Sequence, residues 1–324
     1  MLRHVSVAPA TLKLYERGLA EWRGFCKSHR LPTSGPRIMD SFERFFWHKA
    51  DRGYSPAIGR AALYGWLHIV ADSPSVASNQ LDGARKALKG WARLLGDQVR
   101  DPLPEELALE LLLQLTETGN PLAAAAAAIQ LITYARPSEA LGLHREDVVL
   151  PRPGGPQRYN HVAVIFGSSS RGCVTKGGEQ DDTVVIDSTC PAFIPQVLRQ
   201  LHRICPPGGR IFDELTLSGY EHAVASAADE LGLCAFRVVP HTFRHTGPSN
   251  DFLQKRRSLL AIQKRGRWKH LRSVTRYEKA GRVLRQWAKL PLARQNRARK
   301  AAARFPAILL RALRNIPARR AAPA

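Results

Sequence analysis

Apolar residues recur every three or four positions along most of this 324-residue chain, and at every second position in one short region only. That contrast limits the fold, because helices repeat near 3.6 residues and strands at 2. Leu12, Tyr15, Leu19, Trp22 and Cys26 predict a helix from Thr11 to Cys26. A second helix spans Ile38 to Ala50 and carries Phe42, Phe45, Phe46 and Trp47. Ser55-Pro56 opens a third, with serine at the cap and proline in the first turn, continuing through Leu63, Trp66, Leu67 and Val70. Leu81, Ala84, Leu88 and Trp91 place a fourth between Ser78 and Leu95. Four amphipathic helices with basic outer faces predict a small bundle over residues 1–98.

The polar, proline-containing stretch Gly96 to Pro104 reads as a linker. Beyond it, Glu105 to Thr118 and the alanine-rich Pro121 to Tyr134 have helical spacing. The two-residue pattern follows, at His161 to Phe166, Gly172 to Lys176 and Thr183 to Asp187, divided by Gly/Ser and Gly177-Gly178 turns. Helices resume at Pro195 to Ile204, Leu217 to Leu231, Thr242 to Leu253 and Leu259 to Lys264. The fold class expected is mainly α with a small antiparallel β-sheet (α+β). It comprises an N-terminal helical domain over 1–98, a second domain over 103–290 and a basic C-terminal tail over 291–324.

Charge narrows the partner. The net charge is +22, and no Asp or Glu follows Glu278 while Lys and Arg continue to Arg320. Such an excess suits a polyanion, and nucleic acid is the default. Five scattered cysteines without a CxxC indicate a reduced, intracellular protein and exclude a disulfide scaffold. No membrane-length apolar run and no signal-peptide core is found.

Certain polar residues carry the chemistry. Arg136 precedes Pro137, which disfavours helix at Arg136, so the arginine projects from a turn. Glu139 follows at the start of the next helix. Lys176 meets Gly177-Gly178 at an expected hairpin tip, where it is either a solvated lysine or a mobile proton donor. His241 and Arg244 are three apart on a helix entered at Pro240, and His245 follows. A zinc site on His241 and His245 is rejected: Arg244 lies between them, there is no HExxH glutamate and no third ligand is evident. Tyr277 stands 33 residues after Arg244, and Trp268 nine before Tyr277. Two arginines, a histidine and a late tyrosine suit one task, holding a phosphodiester while a tyrosine hydroxyl attacks it. Arginines supply the charge that metals supply in nucleases, so no cofactor or metal is expected.

In order, these pieces resemble the tyrosine recombinase (phage integrase) family. Its Arg-x-x-Glu-x-x-x-Leu box reads here Arg136 to Leu143, its β-hairpin lysine corresponds to Lys176, and its His-x-x-Arg-His box reads His241 to His245. Trp268 takes the tryptophan variant of the step before the nucleophile. The resemblance covers roughly Leu103 to Lys279 and implies a C-shaped clamp on double-stranded DNA, a homotetramer on that DNA, and a nucleoid or nuclear location with no membrane. It implies site-specific recombination or integration, as in a mobile genetic element. The roles it implies are phosphate clamping by Arg136 and Arg244 and attack by Tyr277. His241, with Trp268, contacts the phosphate and assists proton transfer at Tyr277, and Lys176 protonates the leaving oxygen. Glu139 and His245 are supporting. The implied terminal helix packs on a neighbouring protomer; the alternative is a frayed basic tail. Two other readings stand beside it, a type IB topoisomerase and a recombinase-derived DNA-binding protein without activity. The latter draws on Gly247-Pro248, which depart from the family's usual helix and predict a late start, break or kink there.

Overall fold

The computed structural model describes residues 7–70, 81–95, 101–175, 178–278 and 281–320, which fall within two compact units, Met1–Val99 and Arg100–Ala324. In the first unit, helices α1 (Pro9–Ser28), α2 (Ile38–Asp51), α3 (Pro56–Val70) and α4 (Asp82–Leu94) follow the apolar spacing of the sequence. Their inward faces make one aromatic core of Trp22, Phe42, Phe45, Phe46, Trp66 and Trp91. Trp22 and Phe42 stack at 4.4 Å. Each such side chain contributes roughly 1.5–3 kcal/mol by leaving water. Glycine permits the closest crossing: a Cβ on Gly18 of α1 would lie 2.6 Å from the Ala62 nitrogen of α3.

The second unit is built round α6 (Pro121–Thr133), in which Ala123 to Ala128 are all buried. Side chains this small let neighbours approach on every side. Those neighbours include α5 (Glu105–Glu117), α8 (Ile194–Ile204), α9 (Leu217–Glu230), α10 (Pro240–Leu253) and α13 (Leu292–Arg314). The short helices α7 (Pro137–Leu141), α11 (Leu259–Arg265) and α12 (Gly281–Ala288) complete the set. A three-stranded antiparallel sheet, β1 (Val148–Val149), β2 (Val162–Phe166) and β3 (Asp182–Ile186), pairs in the order β1-β2-β3. Val148 faces Val164, which faces Val184, so alternate residues of β2 and β3 point into the core. The mainly helical α+β class expected from the periodicity is the class observed.

Three local expectations are corrected. Gly172 to Thr175, the described part of the strand expected at Gly172 to Lys176, is not a strand. Both edges of β2 are taken by β1 and β3, and the chain leaves β2 through left-handed Gly167 (φ 69°), a 3-10 turn at Ser169–Arg171 and left-handed Gly172 (φ 63°). Thr175 closes the return, its carbonyl accepting from Gly178 N (2.8 Å) and its N–H donating to Glu179 O (2.8 Å). Lys176 itself, with Gly177, lies outside the described residues.

Second, α10 runs unbroken from Pro240 to Leu253 with Pro248 inside it. Packing overrides the local cost. A Cβ on Gly247 would lie 2.0 Å from the Leu131 carbonyl oxygen and 2.9 Å from the Tyr134 ring, so glycine brings α10 onto α6. Asn250 then ties the helix down, Nδ2 donating to Leu103 O and Thr246 O at 2.9 Å. Gly247→Ala is therefore expected to cost about 2 kcal/mol or more by overpacking, read as a lower urea midpoint at unchanged slope.

Third, residues 292–314 are no tail but the helix α13, which packs along α5 of its own chain. Phe305, Leu309 and Leu313 are fully buried, and Phe305 meets Phe193 edge-on at 5.6 Å. Its basic face is paired: Arg294 bonds Glu110, Arg297 reaches the same carboxylate at 3.0 Å, and Arg304 reaches Glu117 at 3.2 Å. Phe305→Ala should cost about 3–5 kcal/mol. A solvated tail predicts an unchanged melting temperature for that variant.

Candidate active site

The site begins where α6 ends. Tyr134 takes a left-handed conformation (φ 54°, ψ 30°) and stops the helix, and Pro137 keeps Arg136 extended (φ −70°, ψ 155°). Arg136 is thus the N-cap of α7, and Glu139 is its third residue. That spacing lets the Glu139 carboxylate turn back on the cap: Oε2 accepts from Arg136 N at 2.8 Å while Oε1 pairs with Arg136 Nη1. The Arg-x-x-Glu pattern is therefore a local device that fixes a guanidinium in space.

Glu139 serves more than one arginine. Oε2 also accepts from Arg267 Nη2 at 2.8 Å and lies 3.7 Å from Arg244 Nη1. Three guanidiniums about one carboxylate leave a local excess of positive charge, the field an anionic phosphodiester requires. Burial raises the carboxyl's pKa, but Arg267 and Arg136 outweigh it, and the group ionises below the ordinary carboxylate range.

Arg244 projects from α10 into the interior and is 2% exposed. Nη1 donates to the Tyr134 carbonyl, Nη2 to the Gly266 carbonyl at 3.0 Å, and the guanidinium lies 4.7 Å from the Trp268 ring centre. Burial, then the charge of Arg136, lowers its pKa to about 10, which leaves it protonated at neutral pH.

Tyr277 sits on a 3-10 turn, Thr275–Glu278, and is 3% exposed. Its ring packs 5.2 Å from Trp268, and its hydroxyl lies 3.0 Å from His245 Nδ1. Burial pushes the hydroxyl up to about 12, with Arg244 and Arg276 acting in the opposite sense. His241 stands one turn earlier, edge-on to His245 at 5.0 Å between ring centres. The tyrosine hydroxyl thus meets His245, the residue after Arg244 in the same box as His241. Arg136, Glu139, Arg244, Trp268, Tyr277 and His245 are brought together, with His241 in ring contact with His245.

Sequence reasoning missed two members. Arg267, left-handed at φ 56°, turns inward onto Glu139 and stacks its guanidinium 4.2 Å from the Phe166 ring. Tyr134 supplies the carbonyl for Arg244, packs against Trp268 with ring centres 6.2 Å apart and planes inclined by 30°, and donates its hydroxyl to Asp251. Asp251 accepts from Arg257 Nε (3.1 Å), whose two Nη groups bond Asp187 just beyond β3 at 2.8 Å. Arg265 donates to Ile132 O (2.6 Å) and Val185 O (3.1 Å). These bonds tie α10 and α11 to the sheet and to the end of α6, and so hold Arg244 and Trp268 in register with Arg136.

No protein-family model and no curated protein matches the chain. Solved structures do. The XerH site-specific recombinase bound to palindromic difH substrate, in a post-cleavage complex, is similar at 18% identity and a TM-score of 0.55, over 79% of this chain and 72% of that one. The fold is that of the tyrosine recombinases. A pre-cleavage XerH complex matches at 16% identity and a TM-score of 0.42, over 81% of this chain and 76% of that one. Within the tyrosine recombinase fold of this chain, the Arg-x-x-Glu turn, the His-x-x-Arg-His helix and the late tyrosine meet at one place, as described above. Among the described residues, no helix is long and apolar enough to cross a membrane.

Proposed function

We propose that this chain is a site-specific DNA recombinase that cuts and rejoins double-stranded DNA through a 3′-phosphotyrosine link. The observation that carries the reading is the convergence on Glu139: it fixes Arg136 and stands beside Arg244, while Arg244 packs on the Trp268 ring against which Tyr277 is held. Arg136 and Arg244 neutralise the nonbridging oxygens as charge builds at phosphorus. The Tyr277 oxygen attacks in line, and its bond to phosphorus replaces the bond to the 5′-oxygen. Lys176 gives that leaving oxygen its proton. Attack on the phosphotyrosine by a second 5′-hydroxyl reverses the step and joins a new strand, so no external energy source is needed. Glu139, Arg267 and Tyr134 position the arginines and do not touch the phosphate.

The excess of basic residues supplies affinity through phosphate contacts. XerH in the similar post-cleavage complex is bound to palindromic difH substrate, and a palindromic substrate favours duplex DNA as partner here. Residues 1–98 act as the core-binding domain and 103–290 as the catalytic domain, four copies assembling on two duplexes. The reading of a binding protein without activity rested on a broken helix at Gly247-Pro248, and α10 is continuous there.

The test is a covalent trap. The full chain is incubated with an end-labelled library of nicked duplexes of randomised sequence, in which the short downstream fragment bearing the new 5′-hydroxyl diffuses away after cleavage. A denaturant-stable protein–DNA species is expected. Its absence from every duplex, with DNA binding intact, overturns the proposal. Exchange of strands between two duplexes, as opposed to relaxation of supercoils alone, separates a recombinase from a type IB topoisomerase.

A further inference from the structure

We propose that a cavity beside the arginine cluster holds an unstacked nucleobase, that of the nucleotide whose 5′-oxygen leaves phosphorus. The inference rests on the function proposed above and names a specificity-determining subsite which that function leaves open. The cavity measures about 250 Å³ and opens between α7, with the turn that follows it, and the loop that leaves β2. Glu139, the carboxylate that fixes Arg136, forms part of one wall, so the cavity adjoins the candidate phosphate site. Thr175 forms part of the other wall and directly precedes Lys176, the residue assigned as donor to the leaving oxygen. Tyr277 bonds to the 3′ side of the break, so the nucleotide on the 5′ side is the one that comes up against this loop.

The lining suits a base. Ile165, Phe166 and Val174 supply apolar surface, and Val174 stands at the rim, 60% exposed. Ser138 and His144 add polar groups that can meet the edge of a base. Apolar and aromatic surface with a few placed polar groups is the combination that holds a base outside its duplex. The walls are also fixed in advance. Arg171 Nη2 donates to both Asp147 oxygens at 2.7 Å, and Asp147 Oδ2 accepts from His144 N at 2.8 Å, so the loop is tied to the turn after α7. Gly167 closes the loop at its start, where a Cβ would lie 2.8 Å from Thr175 N. A cavity already formed needs no reorganisation to admit its ligand. A stacked base shows only its edges in the grooves, so a base that enters a concavity must first leave the stack, at a cost of a few kcal/mol. Strand transfer demands that departure in any case, because the freed 5′ end must quit its own duplex before another replaces it at the phosphotyrosine.

The experiment uses the full chain and a duplex selected from the randomised library by adduct formation. 2-Aminopurine, which is quenched while stacked, replaces the base immediately downstream of the scissile phosphate, or in a control duplex a base several positions further on. Binding by Tyr277→Phe, which keeps cleavage out of the readout, should raise the fluorescence severalfold at the first position and leave the second quenched. Val174→Trp then fills the mouth of the cavity from an exposed position. On the intact duplex it should form the adduct roughly tenfold more slowly than wild type or worse. On a duplex with an abasic nucleotide at the first position there is no base to place, and the variant should come within about threefold of wild type on that same duplex. Melting temperature checks folding; if Val174→Trp is unfolded, Ser138→Trp takes its place in both assays. A first position that stays quenched overturns the proposal. So does a variant that matches wild type on the intact duplex, or one whose defect is equal on both duplexes. A wild-type chain that forms no adduct with any duplex is a separate result, since it removes the proposed function and this subsite with it.

Discussion

Tyr277→Phe should bind duplex DNA as tightly as wild type and form no covalent complex with it. The substitution removes one oxygen. The phenyl ring keeps its packing on Trp268, Ile262 and Val274, and the lost hydrogen bond to His245 is worth about 1 kcal/mol. Stability should therefore change little, while the rate of adduct formation falls by on the order of 10⁴-fold or more, as when other enzymes lose a nucleophile. Retention of the adduct by this variant would assign the attack to another residue. Tyr134 and Tyr220 are fully buried and engaged with Asp251 and Gln130, so neither is a ready substitute. Gel analysis of the labelled duplex after denaturation reads the result directly.

Arg244→Ala should lose cleavage by at least roughly 10²–10³-fold, the range for removing one preorganised donor to a developing charge. Stability suffers as well, because the Tyr134 and Gly266 carbonyls lose their buried donor at about 1–3 kcal/mol each. The two effects are separable by changing the DNA. A methylphosphonate at the scissile position carries no negative charge and has less need of a guanidinium. With that substrate the gap between wild type and Arg244→Ala should shrink tenfold or more, whereas a purely structural defect would be the same on both substrates. Arg244→Lys should recover little on the natural phosphodiester, since an ammonium cannot replace a fork that donates to two carbonyls at once.

Much of this was legible in the sequence, and the limits have physical causes. Helices announced themselves by apolar spacing, and Arg136 with Glu139 could be placed because the cap they form is local. Strand pairing is not local: Val148-Val149 is too short to show a period, and its capture of the β2 edge displaced the strand expected at Gly172 to Lys176. Tyr134 and Arg267 escaped notice because each adopts a left-handed turn that favours glycine, and Arg267 meets a partner 128 positions away. That His245 reaches the Tyr277 hydroxyl depends on one step round a helix, which spacing to a distant tyrosine does not resolve. The last helix was hidden by its own charge. Phe305, Leu309 and Leu313 keep helical spacing, but the basic residues around them looked solvated until Glu110 and Glu117 of α5 were found beside them. At Gly247-Pro248 the local rule pointed the wrong way, since contact with α6 outweighs a weak helix propensity.

The central claim is a chemical bond between one residue and one end of a DNA strand. Digestion of the trapped complex with protease and nuclease, followed by fragmentation mass spectrometry, locates that bond. The expected result is a nucleotide joined through its 3′-phosphate to Tyr277. A nucleotide on any other residue, or one joined through its 5′-phosphate, would contradict the account.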